Sequence, residues 1–424
     1  MNLSRRQFLQ AGAASPLALG LASPLLAGEP KKTPASERLT LGFIGVGVMN
    51  RGHLGGFLGM KDIQVLAVCD VVAERREHAK EMVEKKYGAD KKGEYKGCDA
   101  YTDFRKIIER KDIDAVVIAT PDHWHTIPCI LAAQAKKDIY CEKPLTHDIG
   151  EGRRLVDAVK KNDVIFQVGS QQRSEFGNHF RLAVELVRNG RIGKLKTIRI
   201  GVGGPAKPCD LLGQPIPEGT DWDTWLGPAQ EREYNEILCP KGIHNHFPAW
   251  RNYREFGGGG VADMGAHHFD IAQWALDMDG SGPVEIHPPE KGETGLRFVY
   301  ANGVEMFHGG EADCVFVGEN GTIKASRGGI TSDPIEIVKT PIGEKEWHCY
   351  ASNNHKRNWV ECVRSRKQTI CPPEVGHRSA TVCHLTNIGY RLRKPLHWDP
   401  VKEKFDDAEA QKLVSIEPRA KWKI

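Results

Sequence analysis

Gly45-x-Gly47, placed just after the apolar run Leu39-Thr40-Leu41-Gly42-Phe43-Ile44, is an arrangement in which a backbone turn can meet phosphate. Gly45 allows the tight turn, and Gly47 lets the main chain approach a pyrophosphate at a helix N-terminus. The third glycine comes late, at Gly52. Asp70 closes the next apolar run, where an acidic side chain accepts from both hydroxyls of an adenosine ribose. That favours NAD, while Arg75 and Arg76 stand near enough in sequence to meet a 2′-phosphate and leave NADP open. Three further segments carry proton-moving side chains: Thr120-Pro121-Asp122-His123-Trp124-His125, Cys141-Glu142-Lys143-Pro144, and Asp263-x-x-x-His267 after the glycines 257–260. A histidine that titrates near neutrality can take a hydroxyl proton. An acid one helical turn away can orient its ring, and a lysine can steady the oxygen left behind. Oxidation of a secondary alcohol by a nicotinamide needs such a set. A metal reading is weaker, and no metal is expected: the spacings in His123-x-His125, His244-x-His246 and His267-His268 suit no pair of ligands on one helix face.

Parallel strands covered on both faces must position these segments. Residues 41–44, 65–69, 114–119, 139–141 and 164–166 are apolar runs without polar alternation. Helical patterns at 73–86, 127–135 and 150–160 separate most of them, which indicates a doubly wound α/β domain over residues 39–165. The remainder, 166–424, changes character. Helices are expected at 180–189, 265–276, 355–364 and 376–392, with a strand at 197–202. A long Pro-, Gly- and Trp-containing stretch reaches residue 255, and several strands with Asn-Gly turns fill 284–340. Strands without intervening helices predict an α+β domain with a mainly antiparallel open sheet.

The 424 residues carry 59 basic and 55 acidic side chains, a net charge of +4. That balance supports neither a nucleic-acid partner nor a membrane-surface one. The 11 cysteines form no C-x-x-C and are expected to be mostly buried free thiols. Ser4-Arg5-Arg6-Gln7-Phe8-Leu9, ahead of an apolar Ala/Leu-rich stretch, reads as a twin-arginine export signal over residues 1–28. A Lys/Pro/Ser-rich linker over 29–38 follows, and the expected destination is the periplasm.

The late-glycine loop, the strand-end E-K-P and the Gly-rich turn before D-x-x-x-H together resemble the glucose–fructose oxidoreductase/inositol dehydrogenase (Gfo/Idh/MocA) family, over roughly residues 39–395. The resemblance implies that Lys143, Asp263 and His267 form the catalytic centre, with Lys143 hydrogen-bonded to the reacting oxygen and its pKa lowered by burial. Cofactor contacts are implied from Gly45, Gly47, Asn50, Arg51 and Asp70, then from Thr120, Pro121, His123, His125, Glu142 and Lys143. Gln171 and Arg173 lie in a segment similar to the family's lining of the nicotinamide end. Trp222 and Trp225 offer faces for a sugar ring, or else interdomain core, and His246 and Arg251 offer polar contacts to substrate.

The implied activity is oxidation of a sugar, polyol or glycoside hydroxyl by tightly bound NAD. A second reading is glycoside cleavage with catalytic NAD, through a transient keto-sugar, although Gly265-Ala266-His267-His268 keeps the dehydrogenase form of the segment. A non-catalytic sugar-binding protein is disfavoured by the intact catalytic set. The implied partners are the small-molecule substrate, the twin-arginine export machinery and further copies of the chain, as a dimer or tetramer.

Overall fold

The computed structural model describes residues 37–89, 95–311 and 314–424. The expected export signal and all but the last two residues of the linker lie outside the described residues. Six strands form the first sheet: β1 (Leu39–Ile44), β2 (Ile63–Cys69), β3 (Asp99–Tyr101), β4 (Ala115–Ile118), β5 (Asp138–Cys141) and β6 (Phe166–Val168). Their order is β3-β2-β1-β4-β5-β6, parallel throughout. Every residue of β1, β4 and β5 is buried, which is why these runs carry no polar alternation. The order reverses between β1 and β4, so the loops after β1, β4 and β5 meet at one edge of the sheet.

The second sheet contains β7 (Leu195–Ile200), β8 (Glu285–His287), β9 (Arg297–Val299), β10 (Glu305–His308), β11 (Cys314–Gly318), β12 (Thr322–Ala325), β13 (Ile330–Asp333), β14 (Leu396–Asp399) and β15 (Lys404–Phe405). Its order is β13-β12-β11-β7-β10-β9-β8-β14-β15, antiparallel except where β10 runs beside β7. Ile198, Phe298, Met306, Phe316 and Ile323 share one core with Phe269 of helix Gly265–Ala275 and Leu385 of helix Pro373–Leu392. All 11 cysteines are free and all but Cys209 are buried.

Two boundaries differ from the sequence expectation. The parallel sheet runs to Val168, past residue 165, because β6 pairs with β5 from Phe166 opposite Ile139 to Val168 opposite Cys141. Helix His355–Ser365 also returns to the first domain. Its Trp359 packs edge-on against Phe57 (5.6 Å) and Tyr140 (5.8 Å), so a helix from the far end of the chain completes the first core. An amphipathic pattern locates such a helix but does not say which sheet it covers.

The stretch 203–255 forms a strap alongside the first domain. Val72 pairs with Thr220 in an isolated bridge, and Asp221 N–H donates to Val71 O (3.0 Å). Val72 then joins Trp222, Trp225, Leu238, Trp250 and Phe256 in a separate apolar cluster. Chain immediately after Asp70 is thereby covered by residues from the second half of the sequence.

Candidate active site

At the end of β1 the loop needs glycine for two reasons. Gly45 has φ +73°, and a Cβ there would stand 2.8 Å from Thr120 Cγ2. Gly47 caps helix Val48–Leu58 with no side-chain bond, and a Cβ on it would meet nothing within 4 Å, only the open groove. The first N–H groups of that helix are therefore free for an anion. Gly45, Gly47, Asp70, Thr120 and Pro121 line a groove of about 860 Å³. Leu238, His244, Pro248, Trp250 and Arg251 of the strap close its other side. Two buried polar atoms among these groups lack partners, Thr120 Oγ1 and His244 Nε2, and Arg51 Nη1 on the helix that follows the loop lacks one too. Buried polar atoms are nearly always satisfied, so the groove fits a polar, anionic ligand such as a dinucleotide.

Asp70 accepts from Val46 N–H and Val72 N–H (both 2.9 Å), and burial pushes its carboxyl above the usual range. Arg75, which lines the groove, is partly committed to the strap: it donates to Gly242 O (3.1 Å) and to Pro240 O. Arg51 likewise binds His244 O and Asn245 Oδ1 (3.2 Å), leaving only Nη1 for a ligand.

Several residues expected at the cofactor are occupied elsewhere. Asn50 spends its amide N–H groups on Ile44 O (3.1 Å) and Gly45 O (3.0 Å), so it shapes the loop and only its Oδ1 remains unpartnered. His123 lies buried between Trp225 O (3.1 Å) and Phe256 O (3.4 Å), and burial pushes its pKa to about 3. His125 lies between Pro144 O (2.7 Å) and Thr120 O (3.0 Å), and burial keeps its ring neutral, so its one N–H serves one carbonyl at a time. Glu142 accepts from His53 Nε2 and Gln171 Nε2, both at 2.7 Å, and Gln171 also reaches Tyr140 Oη (3.1 Å). Burial is the largest influence on the Glu142 carboxyl and opposes its charge, but His53, Lys143 and Gln171 together outweigh it and hold the acid below its usual range. Glu142 and Gln171 thus brace the strand end behind Lys143. His53 had no signal in the sequence, since it lies in helix Val48–Leu58, 89 residues before Glu142.

Arg173 is the clearest correction. It is 2% exposed, forks onto Asp270 (2.7 and 2.9 Å) and Asp279 (3.0 and 2.7 Å), and lies over the Trp274 ring. Every nitrogen is committed inside the second domain, so none is left for a cofactor. Trp222 and Trp225 are the second. They stack on each other (4.6 Å, 14°) within the strap's core, and the faces expected for a sugar are used up. His246 is exposed, with its ring beside His244 (4.5 Å), and has no contact to the acid–base residues below.

Lys143, Asp263, His267 and Arg251 do converge. Lys143 Nζ donates to Asp263 Oδ1 (2.6 Å) and Asp263 O (2.8 Å). Arg251 Nε stands 3.7 Å from the same Oδ1, its guanidinium over Trp250. Burial works against the Asp263 carboxylate, but Lys143 beside it holds the carboxyl below its usual range. The expected pairing of Asp263 with the His267 ring is not formed. Helix Gly260–Asp263 ends at the acid and helix Gly265–Ala275 begins anew, so the carboxylate faces Lys143 instead. His267 is 4% exposed, and its Nδ1 is buried without a partner. Burial, with Lys143 and Arg327 nearby, pushes its pKa well below the usual value and keeps the imidazole neutral.

Two residues here were given no individual role from the sequence, one of them in a segment already singled out. Arg327, on the turn between β12 and β13, acts on both Asp263 and His267. Asp122, buried at the end of the β4 loop, accepts from Gly258 N–H and faces Arg251, Lys143 and Asp263. Burial raises its carboxyl from 3.8 to about 7. Between those values the folded protein holds a proton that the unfolded chain has released, so this group's contribution to stability falls as pH rises. Asp122→Asn removes the loss. Its melting temperature relative to wild type is expected to climb from about pH 4 to about pH 7 and then level off. A difference that stays level with pH would show that Asp122 ionises as an exposed acid does.

Comparison with known proteins agrees with this architecture. Residues 39–170 match the family model described as oxidoreductase family, NAD-binding Rossmann fold, and residues 207–424 match its C-terminal alpha/beta domain. A myo-inositol 2-dehydrogenase of Thermotoga maritima is 34% identical over 170 residues, 40% of this chain and 47% of that protein. A glycosyl hydrolase family 109 protein of Shewanella pealeana is 29% identical over 210 residues, 46% of this chain and 45% of that protein. The chain thus spans about half the length of the curated relatives it matches. Among solved structures, the WlbA dehydrogenase of Bordetella pertussis, in complex with NADH and UDP-GlcNAcA, shares the fold. Its TM-score is 0.58 at 18% identity, covering 85% of this chain and 99% of that one. With both domains matched in order, the chain belongs to the Gfo/Idh/MocA family of oxidoreductases.

Proposed function

We propose that the protein is an exported NAD-dependent oxidoreductase acting on a secondary hydroxyl of a sugar, polyol or glycoside. The observation that carries this reading is the Lys143–Asp263 pair beside a neutral His267 with an unpartnered Nδ1, at the edge of the sheet that holds the nucleotide loop. Bound NAD supplies the acceptor for the hydride that leaves the substrate carbon. The loop glycines, the N-terminus of helix Val48–Leu58, Asp70, Thr120 and Arg51 Nη1 would hold it.

The acid–base work falls to the chain's own residues. The Lys143 ammonium donates to the substrate oxygen and stabilises the charge that develops there. His267, held neutral by burial, takes the hydroxyl proton on its ring. Asp263 keeps Lys143 aimed, and Arg251 anchors Asp263 from its other side.

Retention of NAD belongs to the same proposal. Arg51 and Arg75 tie the strap down beside the nucleotide loop, which slows exchange. Gly242 sits against Glu74 with φ +61°, and a Cβ there would lie 2.4 Å from Glu74 Oε2. Gly242→Val is therefore expected to unseat the strap and release NAD on dialysis that leaves wild type loaded. Equal loss from both proteins would contradict retention by the strap. Arg5-Arg6 supports export of the folded, loaded protein, with the cofactor regenerated on the enzyme. A homo-oligomer built through the second sheet is part of this reading.

The glycosyl hydrolase relative favours a second reading, cleavage of a glycoside through transient oxidation. Incubation with sugars and glycosides, without added NAD, separates the two. Keto-sugar with reduced bound cofactor is expected; free sugar without net reduction selects the second reading. Neither outcome, from protein that contains NAD, overturns both.

A further inference from the structure

Arg327 is held at two points and unused at its end. Its Nε donates to Gln172 Oε1 (3.0 Å), and its guanidinium lies 4.6 Å above the Phe176 ring. The Gln172 amide in turn points to His267 O (3.5 Å), so the same side chain stands between Arg327 and the proposed base. The turn that carries Arg327 is closed by Ser326 N–H to Gly329 O (2.8 Å). Among the described residues, Nη1 and Nη2 have no partner. An arginine fixed through Nε and through stacking has already lost most of its rotamer freedom, while its outer fork still presents parallel N–H donors. That fork matches a carboxylate.

Charge in the site points the same way. Lys143, Arg251 and Arg327 all act on the single carboxylate of Asp263. Asp122, the other acid facing the cluster, is shifted toward its protonated form by burial. A neutral sugar entering here would desolvate a cationic excess and return nothing to it. An anionic group on the substrate would balance it.

We infer that Arg327 is the specificity-determining residue of the site, and that the substrate is a sugar acid whose carboxylate it takes in a bidentate fork. The inference rests on the oxidoreductase reading above. It differs from a role in stabilising the reacting oxygen, because that role would serve acidic and neutral sugars alike.

The test is calorimetric binding to the NAD-loaded protein, which requires no turnover. Glucuronate with glucose, galacturonate with galactose, and gluconate with glucitol form matched pairs. Wild type is expected to bind the acid of at least one pair about tenfold or more tighter, as a charge-assisted pair warrants, and the gap should narrow with salt. Arg327→Leu should bring the ratio of acid to neutral affinity close to one, with the acid losing far more than its neutral partner. Arg327→Lys should keep only part of it, since an ammonium cannot fork. Arg327 is exposed at a turn, so both variants should melt as wild type does. No preference for any acid in wild type, or equal weakening of acid and neutral partner in Arg327→Leu, overturns the inference. A protein that prefers the acid through Arg327 yet never reduces its cofactor would overturn the oxidoreductase reading and leave this one standing.

Discussion

Lys143→Ala is expected to lower the rate of cofactor reduction by about 10²–10³-fold, the usual cost of losing one aimed donor to a developing oxyanion. NAD should stay bound, because the groove beside Gly45, Gly47 and Asp70 does not depend on this side chain. The fold should survive as well. The Asp263 carboxylate left behind is 37% exposed as a side chain, so water can solvate it, and Arg251 Nε remains 3.7 Å away. The check is single-turnover reduction of bound cofactor, alongside NAD content measured after denaturation. Turnover within a few-fold of wild type would remove Lys143 from the chemistry. Loss of NAD together with activity would make it a binding residue instead.

Arg173→Met is expected to act through stability and not through chemistry. The substitution leaves Asp270 fully buried with only Ser379 Oγ (2.8 Å) still donating to it. Burial already pushes the Asp270 carboxyl up against the opposing pull of Arg173. Breaking a buried pair from one side costs about 3–5 kcal/mol, because the surviving charge has no compensation. Asp279 is better hydrated and adds little to that cost. The double variant Arg173→Met/Asp270→Asn should recover a large part of the loss, since it removes the orphaned charge. Denaturant melts of the three proteins measure this directly. A stable Arg173→Met that loses NAD would restore the residue to the cofactor site.

The contrast between Lys143 and Arg173 shows what the sequence could and could not convey. Strands without polar alternation are buried on both faces, so β1, β4 and β5 were legible, and with them the edge where Gly45, Thr120 and Lys143 meet. The second domain was legible as a class, from turn signals and the absence of crossover helices. Side-chain commitments were not. Arg173 follows a strand in the first sheet, and its partners lie about a hundred residues on, in another core. Trp222 and Trp225 look alike as sugar platforms or as core until their mutual stacking is seen. Asp263 and His267 have helical spacing, but the helix restarts between them and the acid turns to Lys143. Arg327 and His53 reach the site across tertiary contacts that no local spacing records.

The strap changes how the cofactor is expected to behave. Arg75 could be read from sequence as a 2′-phosphate ligand, yet its donors hold the carbonyls of Pro240 and Gly242. The same contacts cover the chain beside Asp70. That cover traces to the stretch 203–255, whose Pro, Gly and Trp content gave no sign in the sequence of where it would pack.

The central claim is that a substrate hydroxyl is oxidised at Lys143 and His267 by NAD that stays on the protein. Isotope transfer tests it most directly. A turned-over sugar carrying deuterium at the oxidised carbon is mixed with NAD-loaded protein, and the nicotinamide is then extracted and weighed. Deuterium on the extracted cofactor is predicted for wild type and its near absence for Lys143→Ala. Product formed from the labelled sugar with an unlabelled cofactor would contradict the account.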